Sequence, residues 1–537
     1  MKRYIHVVIL YSILCILHAN LFGQVDTAWV RRYHGPWGNS DGACALAVDI
    51  AGNVYVTGTV GSFVSYCDMA TVKYDSLGVQ QWYRTYEGSS YDYAEAIAVD
   101  TSGNVYVTGG SYHYPYVYDY TTIKYNTLGV TQWIVYYNHG YDIAKAIAVD
   151  YSGNVYVTGT SDGDYATIRY NANGDTVWVR RYNNGPGSNG DEVYAMAVDN
   201  AGNVYVTGNS YASGTNYDWA TIKYNTSGDT IWARRYNGPG NGVDQANAIA
   251  VDGSGNVYVT GYSYGSGSLQ DYTTIKYNSD GNEQWVARYN GPGNNYDEAL
   301  GIAVNNSGNV YITGRSTGSG SYYDYATIKY NSAGVEQWVK RYNDTANNND
   351  EAYAIAVDNL GNAYITGKSC GINTNMDCVT IKYNSVGIEQ WLARYDVPDS
   401  GDDGANSLAV DNSGHAYVAG SCHSPTTYYD YLTIKYIQTQ GIEEAHVTAK
   451  LINGNFTACP NPVKSLAVIR YTLPVDGKVS LQLYDISGRW VKTLVNEYKN
   501  AGNYQLTLNT KNLSAGVYFL YLTTESNRII ERLSVIK

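Results

Sequence analysis

Short runs dominated by Val, Ile, Tyr and Thr recur along most of the chain, each bounded by Gly, Asn or Asp, and this pattern reads as strands separated by tight turns. One word carries the pattern. "GNVYVTG" begins at Gly103, and close copies begin at Gly52, Gly153, Gly202, Gly255, Gly308, Gly361 and, more loosely, Gly414. Aligned on that word, the chain repeats about every 53 residues. Each unit holds an Ala-rich run opened by Asp and ending "AIAVD", then "GNVYVTG", a loop of variable length, "DYATIKYN", and a run of the type "QWVxRY". Neither "NVYVTG" nor "AIAVD" alternates cleanly between apolar and polar positions, as expected of strands covered on both faces.

Four strands per unit at this period predict a β-propeller, in which each unit is a twisted antiparallel blade packed face to face on its neighbours. Small side chains in the first strand (Ala94, Ala96 and Ala98 in one copy) suit a crowded central axis. The fourth strand carries Trp82, Trp133, Trp178, Trp232, Trp285, Trp338 or Trp391, rings that suit the widening gap between blades farther out. A solenoid would need polar caps at both ends. Here the chain instead starts on a fourth-type strand, Trp29-Val30-Arg31-Arg32-Tyr33, and its last unit stops at Tyr436 after three strands. Pairing the two closes a ring and removes two exposed edges. Eight "TIKY"-type strands, ending at Tyr74, Tyr125, Tyr170, Tyr224, Tyr277, Tyr330, Tyr383 and Tyr436, predict eight blades. The words "VDxSGNVYVTG" and "DYATIKYNxxG" resemble the bacterial SBBP-type propeller repeat over roughly residues 26–436. That family's name implies seven blades, and this sequence departs from it by supplying eight. The spacing of Gly334 to Trp338 is also similar to the tryptophan-docking repeats of quinoprotein propellers, over one strand pair only.

Beyond Tyr436 the periodicity stops, and a linker over 437–455 leads to runs that do alternate, "VSLQLYDISGRWVKTL" among them, which predict an immunoglobulin-like sandwich of some 80 residues. The blocks "PNP", "LYDISGR" and "LSAGVYFL", in that order at the chain end, resemble the C-terminal sorting domain of type IX secretion cargo. That resemblance implies passage through the periplasm, recognition by the outer-membrane translocon, and release or surface attachment, often with removal of the domain. At the other end, Lys2-Arg3, the apolar run Val7 to Leu17 and the short residues around Ala19 to Gly23 read as a secretory signal peptide. The expected organisation is therefore a signal peptide over 1–23, an eight-bladed propeller over 24–436, the linker, and the sandwich over 456–537; the fold class is all-β.

Of the formal charge of −13, the segment from Asn453 onward contributes +5 and Lys2 and Arg3 another +2, which leaves −20 on the remainder. So acidic a region repels phosphate backbones and excludes nucleic acid as a partner. Export leaves six cysteines, of which Cys370 and Cys378 face each other across one loop and are either a hairpin disulfide or two free thiols. No Cys or His spacing resembles a zinc site, and no metal or cofactor is expected.

In a propeller the fourth-to-first and second-to-third connections share one side, and all the variable lengths fall there; the short "VDxSGN" and "YNxxG" turns share the other. An Asp opens every first strand: Asp41, Asp92, Asp142, Asp191, Asp244, Asp297, Asp350 and Asp403. These carboxylates should ring one mouth of the channel, either as a cation site or as acceptors for backbone N–H groups where a loop enters a strand. Eightfold repetition favours the structural role. A second set, Asp68 to Asp430, opens the third strands and reads the same way. The "DxSGN" turns lack the oxygen run and late Glu of a calcium loop. No catalytic motif such as G-x-S-x-G or H-E-x-x-H occurs, and no His recurs with the blades. Departures from the repeat are more informative: the blade-two loop with Tyr112, His113, Tyr114, Tyr116 and Tyr118, and Trp37 on the same side, are candidates for stacking on sugar rings or gripping a protein. The sequence thus points to an exported, monomeric, non-enzymatic binding or scaffold protein, with the translocon and a glycan or protein as partners. The alternative is an extracellular polymer-degrading lyase or hydrolase with its site on the variable-loop side. A cluster of His and carboxylates at the mouth would favour the enzyme; a mouth of repeated Asp and Tyr would favour binding.

Overall fold

This computed structural model describes residues 25–438 and 456–537, apart from 37–38, 63–65, 89, 114–116, 185–189, 372–374, 398–400, 426, 460, 474, 486–488 and 525–527. The expected signal peptide and most of the expected linker lie outside the described residues. The chain divides into two compact units, residues 1–439 and 440–537.

The first unit is eight four-stranded antiparallel sheets. Blade 1 is typical, with strands Gly42–Val48, Val54–Gly61, Cys67–Tyr74 and Gln80–Tyr86. Each first strand packs against the first strands of both neighbouring blades, and that of blade 8 (Gly404–Val410) packs against that of blade 1, so the innermost strands form a closed ring. Second and third strands are buried along nearly their whole length, as in Val54–Gly61. Fourth strands alternate buried and exposed residues, because the circumference is largest there and neighbouring blades no longer cover both faces.

Blade 8 takes its fourth strand from the N-terminus: Val25–Tyr33 pairs antiparallel with Tyr428–Gln438. The substitution is faithful in register. Trp29 lies opposite Lys435 with a bulge before it, as Trp391 lies opposite Lys382 in blade 7 and Trp82 opposite Lys73 in blade 1.

The repeated words explain the contacts between blades. In blade 1, one Asp49 oxygen accepts the N–H groups of Ala51 and Asn53, the other accepts Asn53 Nδ2 and Tyr55 Oη–H, and the turn is locked. The Lys73 ammonium lies 5.1 Å over the Tyr55 ring and donates to the Thr127 carbonyl of blade 2. Trp82 sits between Tyr55 of its own blade and Tyr125 of the next, at 6.2 and 6.0 Å, and its indole N–H donates to the same Thr127 carbonyl at 3.1 Å. Its ring covers Gly129, whose φ of 74° places it in the left-handed region and where a Cβ would come within 2.7 Å of the indole. The same docking repeats from Trp29 on Gly78 to Trp338 on Gly387. Trp29 carries it across the closure, donating to the Ser76 carbonyl at 3.3 Å. Trp391 differs: blade 8 takes its fourth strand from the N-terminus, the Trp391 indole N–H has no hydrogen-bond partner among the described residues, and Lys382 donates to the Gln438 side chain.

The second unit is a two-sheet β-sandwich. A three-stranded sheet (Thr457–Cys459, Leu466–Leu473, Gly502–Asn509) faces a four-stranded one (Trp490–Lys499, Gly477–Asp485, Gly516–Thr523, Arg528–Val535). Inward residues at every second position, such as Ala467, Ile469, Tyr471, Val479, Leu481 and Leu483, form its core.

Trp29→Ala should destabilise the propeller by about 3–5 kcal/mol, as for other buried Trp truncations, read as a lower urea midpoint. Gly387→Ala should also destabilise, by more than about 1 kcal/mol, since its φ is 82° and the new Cβ would lie 2.8 Å from the Trp338 ring.

Candidate binding face

The first-strand carboxylates point at the backbone. Asp41 accepts N–H groups from Gly35 at 2.6 Å and Gly61 at 2.9 Å, one in the loop entering the blade and one at the end of the second strand. Asp191, Asp244, Asp297 and Asp403 join the same two segments in their blades. Asp92, Asp142 and Asp350 accept the loop N–H of Gly88, His139 and Asp344. Each is buried and staples a variable loop to the rim. Burial pushes Asp41, Asp92 and Asp297 above the usual carboxylate range against these donors, and takes Asp244 and Asp350 up to about 6. On the opposite side, hydrogen bonds outweigh burial and hold Asp199, Asp252 and Asp411 below it.

The third-strand set has a different partner. Arg181, Arg235 and Arg341 on the fourth strands pair with Asp164, Asp218 and Asp324 at 2.6–2.9 Å, and Arg288 and Arg394 do the same with Asp271 and Asp377. In blades 1 and 2 the arginine is replaced by Thr85 and Tyr136. His113 then takes part of its place, with Nδ1 3.2 Å from Asp119, and stacks edge-on against Tyr136 at 5.4 Å.

At the closure between blades 8 and 1, His34 stands where blades 2 to 6 carry Asn and blades 1 and 7 carry Glu87 and Asp396. Its Nδ1 lies 3.3 Å from both an Asp41 and an Asp430 oxygen, a donor set of metal-binding type. Those oxygens also accept hydrogen bonds from Gly35 N–H and the Thr427 hydroxyl. On blades 6 and 7 a charged network sits near the axis: Arg315 pairs with Glu298 at 2.6 Å and Glu351 at 3.3 Å, Lys368 reaches Glu351 at 3.8 Å, and Tyr353 donates to Glu351 at 2.6 Å. Sequence reasoning passed over it, although "ITGRS" and "ITGKS" break the repeated word at Arg315 and Lys368.

Of the aromatic candidates, Trp37, Tyr114 and Tyr116 lie outside the described residues. Tyr112 and Tyr118 are half-buried and packed edge to face at 5.3 Å. They belong to a larger array the sequence did not reveal. Tyr66 stacks on Tyr91 at 4.7 Å, Tyr91 on Tyr93 at 6.3 Å, Tyr93 lies 5.9 Å from Tyr118, and Tyr118 meets Tyr141 at 5.5 Å. The array crosses blades 1, 2 and 3 on the variable-loop side. On the tight-turn side, a cavity of about 260 Å³ opens among Val99, Asp100, Val149, Asp150, Val198 and Asp199. The three carboxylates there already accept four hydrogen bonds each from their own turns. Cys370 and Cys378 are not joined as a hairpin disulfide: the register sets Cys370 opposite Met376 and Cys378 opposite Lys368. Burial pushes the Cys378 thiol up to about 12.

Ring closure and blade architecture define a β-propeller, followed by a β-sandwich. Residues 81–116, 132–166, 177–214, 231–267 and 337–372 match the family described as "Beta-propeller repeat" (SBBP), and residues 457–537 match the "Secretion system C-terminal sorting domain". The chain therefore carries SBBP repeats and a type IX sorting domain, which indicates export to the cell surface or medium. No curated protein matches the chain. Among solved structures it is similar to PorZ, a bacterial surface component of the type IX secretion system of Porphyromonas gingivalis (14% identity, 90% of this chain and 64% of that one, TM-score 0.40). The chain thus spans less than two thirds of that protein. It is also similar to a fungal alcohol oxidase of the AA5 family in complex with copper (12% identity, 82% and 96% covered, TM-score 0.39).

The rim carboxylates carry a pH signature. Because the Asp244 pKa is raised on folding, the folded state holds more protons between about pH 4 and 6, and its contribution to stability falls as pH rises through that window. Asp244→Asn loses one backbone acceptor, worth about 1–3 kcal/mol, but carries no buried charge. Its cost in thermal denaturation should therefore be larger at pH 4.5 than at pH 7.

Proposed function

We propose that this protein is an exported, non-enzymatic binding protein that presents the variable-loop side of its propeller at the cell surface or in the medium. The C-terminal sandwich acts as its address, read by the type IX translocon. One observation carries the reading. The repeated polar residues are committed to holding the propeller together, the first-strand Asp to loop N–H groups and most third-strand Asp to arginines, whereas the tyrosine array departs from the repeat and includes exposed rings on the loop side. The acidic charge of this unit excludes nucleic acid and disfavours anionic partners.

A second reading, a polymer-degrading lyase or hydrolase, draws on His34 between Asp41 and Asp430, a pairing of imidazole and buried carboxylates with the ring about two-fifths exposed. Its signature would be depolymerisation of an extracellular glycan that His34→Ala abolishes while the propeller stays folded. The binding reading expects retention of an unaltered ligand.

Truncation after Asn455 should leave the propeller in the periplasmic fraction, whereas the full chain reaches the surface or medium. Undiminished appearance of the truncated chain outside the cell would remove the address role. Pull-down and glycan screens with the full chain, run beside a Tyr151→Ala variant on the tight-turn side, test which side binds.

A further inference from the structure

We infer that the tyrosine array across blades 1–3 is a binding platform for an uncharged polysaccharide. This deepens the proposed binding role and rests on the loop-side reading.

The two ends of the array are its most exposed members, and Tyr91 beside Tyr66 is 36% exposed. Tyr66 is 67% exposed and Tyr141 51%, while Tyr93, Tyr112 and Tyr118 between them are half-buried. The inner rings hold the outer ones. Tyr66 lies nearly parallel to Tyr91, at 14°, and Tyr91 to Tyr93, at 15°; Tyr141 stands edge to face on Tyr118, at 75°. The backbone is fixed as well: the Tyr91 carbonyl accepts Tyr112 N–H at 2.9 Å and the Tyr141 carbonyl accepts Asp162 N–H at 2.8 Å. Tyr66 itself adopts a φ of 63°, a conformation rare for an aromatic residue and one that its stacking partner helps to hold.

Exposed rings that are already oriented lose little rotamer freedom on binding. Each tyrosine offers a flat apolar face and a hydroxyl at its edge, which matches a pyranose: a C–H face to stack and equatorial hydroxyls to bond. Two such rings at the ends of a fixed row suit a chain of sugars better than a single one. Charge selects among chains. The region carries about −20, so uronate and sulfated polymers are repelled, and the platform fits neutral ones.

The test is calorimetric titration of the purified full chain with cello-, xylo- and manno-oligosaccharides, with polygalacturonate as the anionic comparison. A neutral oligosaccharide should bind, longer chains better than short ones, and polygalacturonate should not. Tyr66→Ala and Tyr141→Ala, both at exposed sites, should each weaken binding by about three- to tenfold, with the melting temperature unchanged. Tyr151→Ala, 80% exposed on the tight-turn side, should leave it intact. Failure of every neutral oligosaccharide to bind, or preference for polygalacturonate, overturns the inference. Binding that survives both platform substitutions but is lost in Tyr322→Ala, on a blade-6 loop, overturns the platform and leaves the loop-side reading standing. Loss only in Tyr151→Ala overturns both.

Discussion

Seven of the eight boundaries between blades depend on one contact, an indole ring laid over a glycine that has turned into the left-handed region. The glycine serves two needs at once, since its positive φ closes the turn and its missing Cβ leaves room for the ring. Neither residue tolerates replacement without affecting the other's blade. Seven such contacts run round the ring, and the one from Trp29 to Gly78 joins the two ends of the propeller chain. That closure is non-covalent, so the integrity of the circle rests on a nine-residue strand whose register and bulge copy those of the other blades. Trp391 shows how local the requirement is. Its indole N–H has no acceptor among the described residues, yet the ring keeps its place between Tyr364 and Tyr436.

Strand number, blade number and the manner of closure were all legible in the sequence, because each is a property of repeated words and of where the repetition begins and ends. Trp29 opening the chain and Tyr436 ending the last unit are two halves of one statement. The destinations of the aspartates were only half legible. Spacing puts Asp41 and Asp244 where a loop meets a strand, but their acceptor role depends on N–H groups of Gly35, Gly61, Gly238 and Tyr264, whose directions are set by loops of irregular length. The arginine partners of the third-strand set were written in plain view at Arg235 and Arg341, one position from the tyrosine that ends the fourth strand, and needed only the register to be recognised.

The tyrosine array was invisible for a different reason. Tyr112 and Tyr118 draw attention because they crowd one stretch of chain, whereas Tyr66, Tyr91 and Tyr141 are spaced tens of residues apart in three units, and nothing in one dimension joins them. Curvature does. Adjacent blades bring the second-to-third loop of one against the fourth-to-first loop leading to the next, as the bridge between Cys67 and Tyr91 records, so residues about half a repeat apart become neighbours.

A ring of equivalent blades also constrains where binding chemistry can reside. Any residue present in all eight copies has eight equivalent environments, and the hydrogen bonds show those environments filled: turn carboxylates by their own Asn and Tyr, rim carboxylates by loop amides. The two sets respond oppositely to acid. Turn carboxylates such as Asp252 and Asp411, held low, support the fold above about pH 4 and lose that support as pH falls further. Rim carboxylates such as Asp244 and Asp350, held high, favour the fold most when protonated. Their slopes oppose each other on either side of about pH 4, so the two sets together favour the fold most there. What remains free to differ between blades is the loop side, and it is there, in the replacement of Arg by Thr85 and Tyr136 beside a row of tyrosines, that the molecule stops repeating itself.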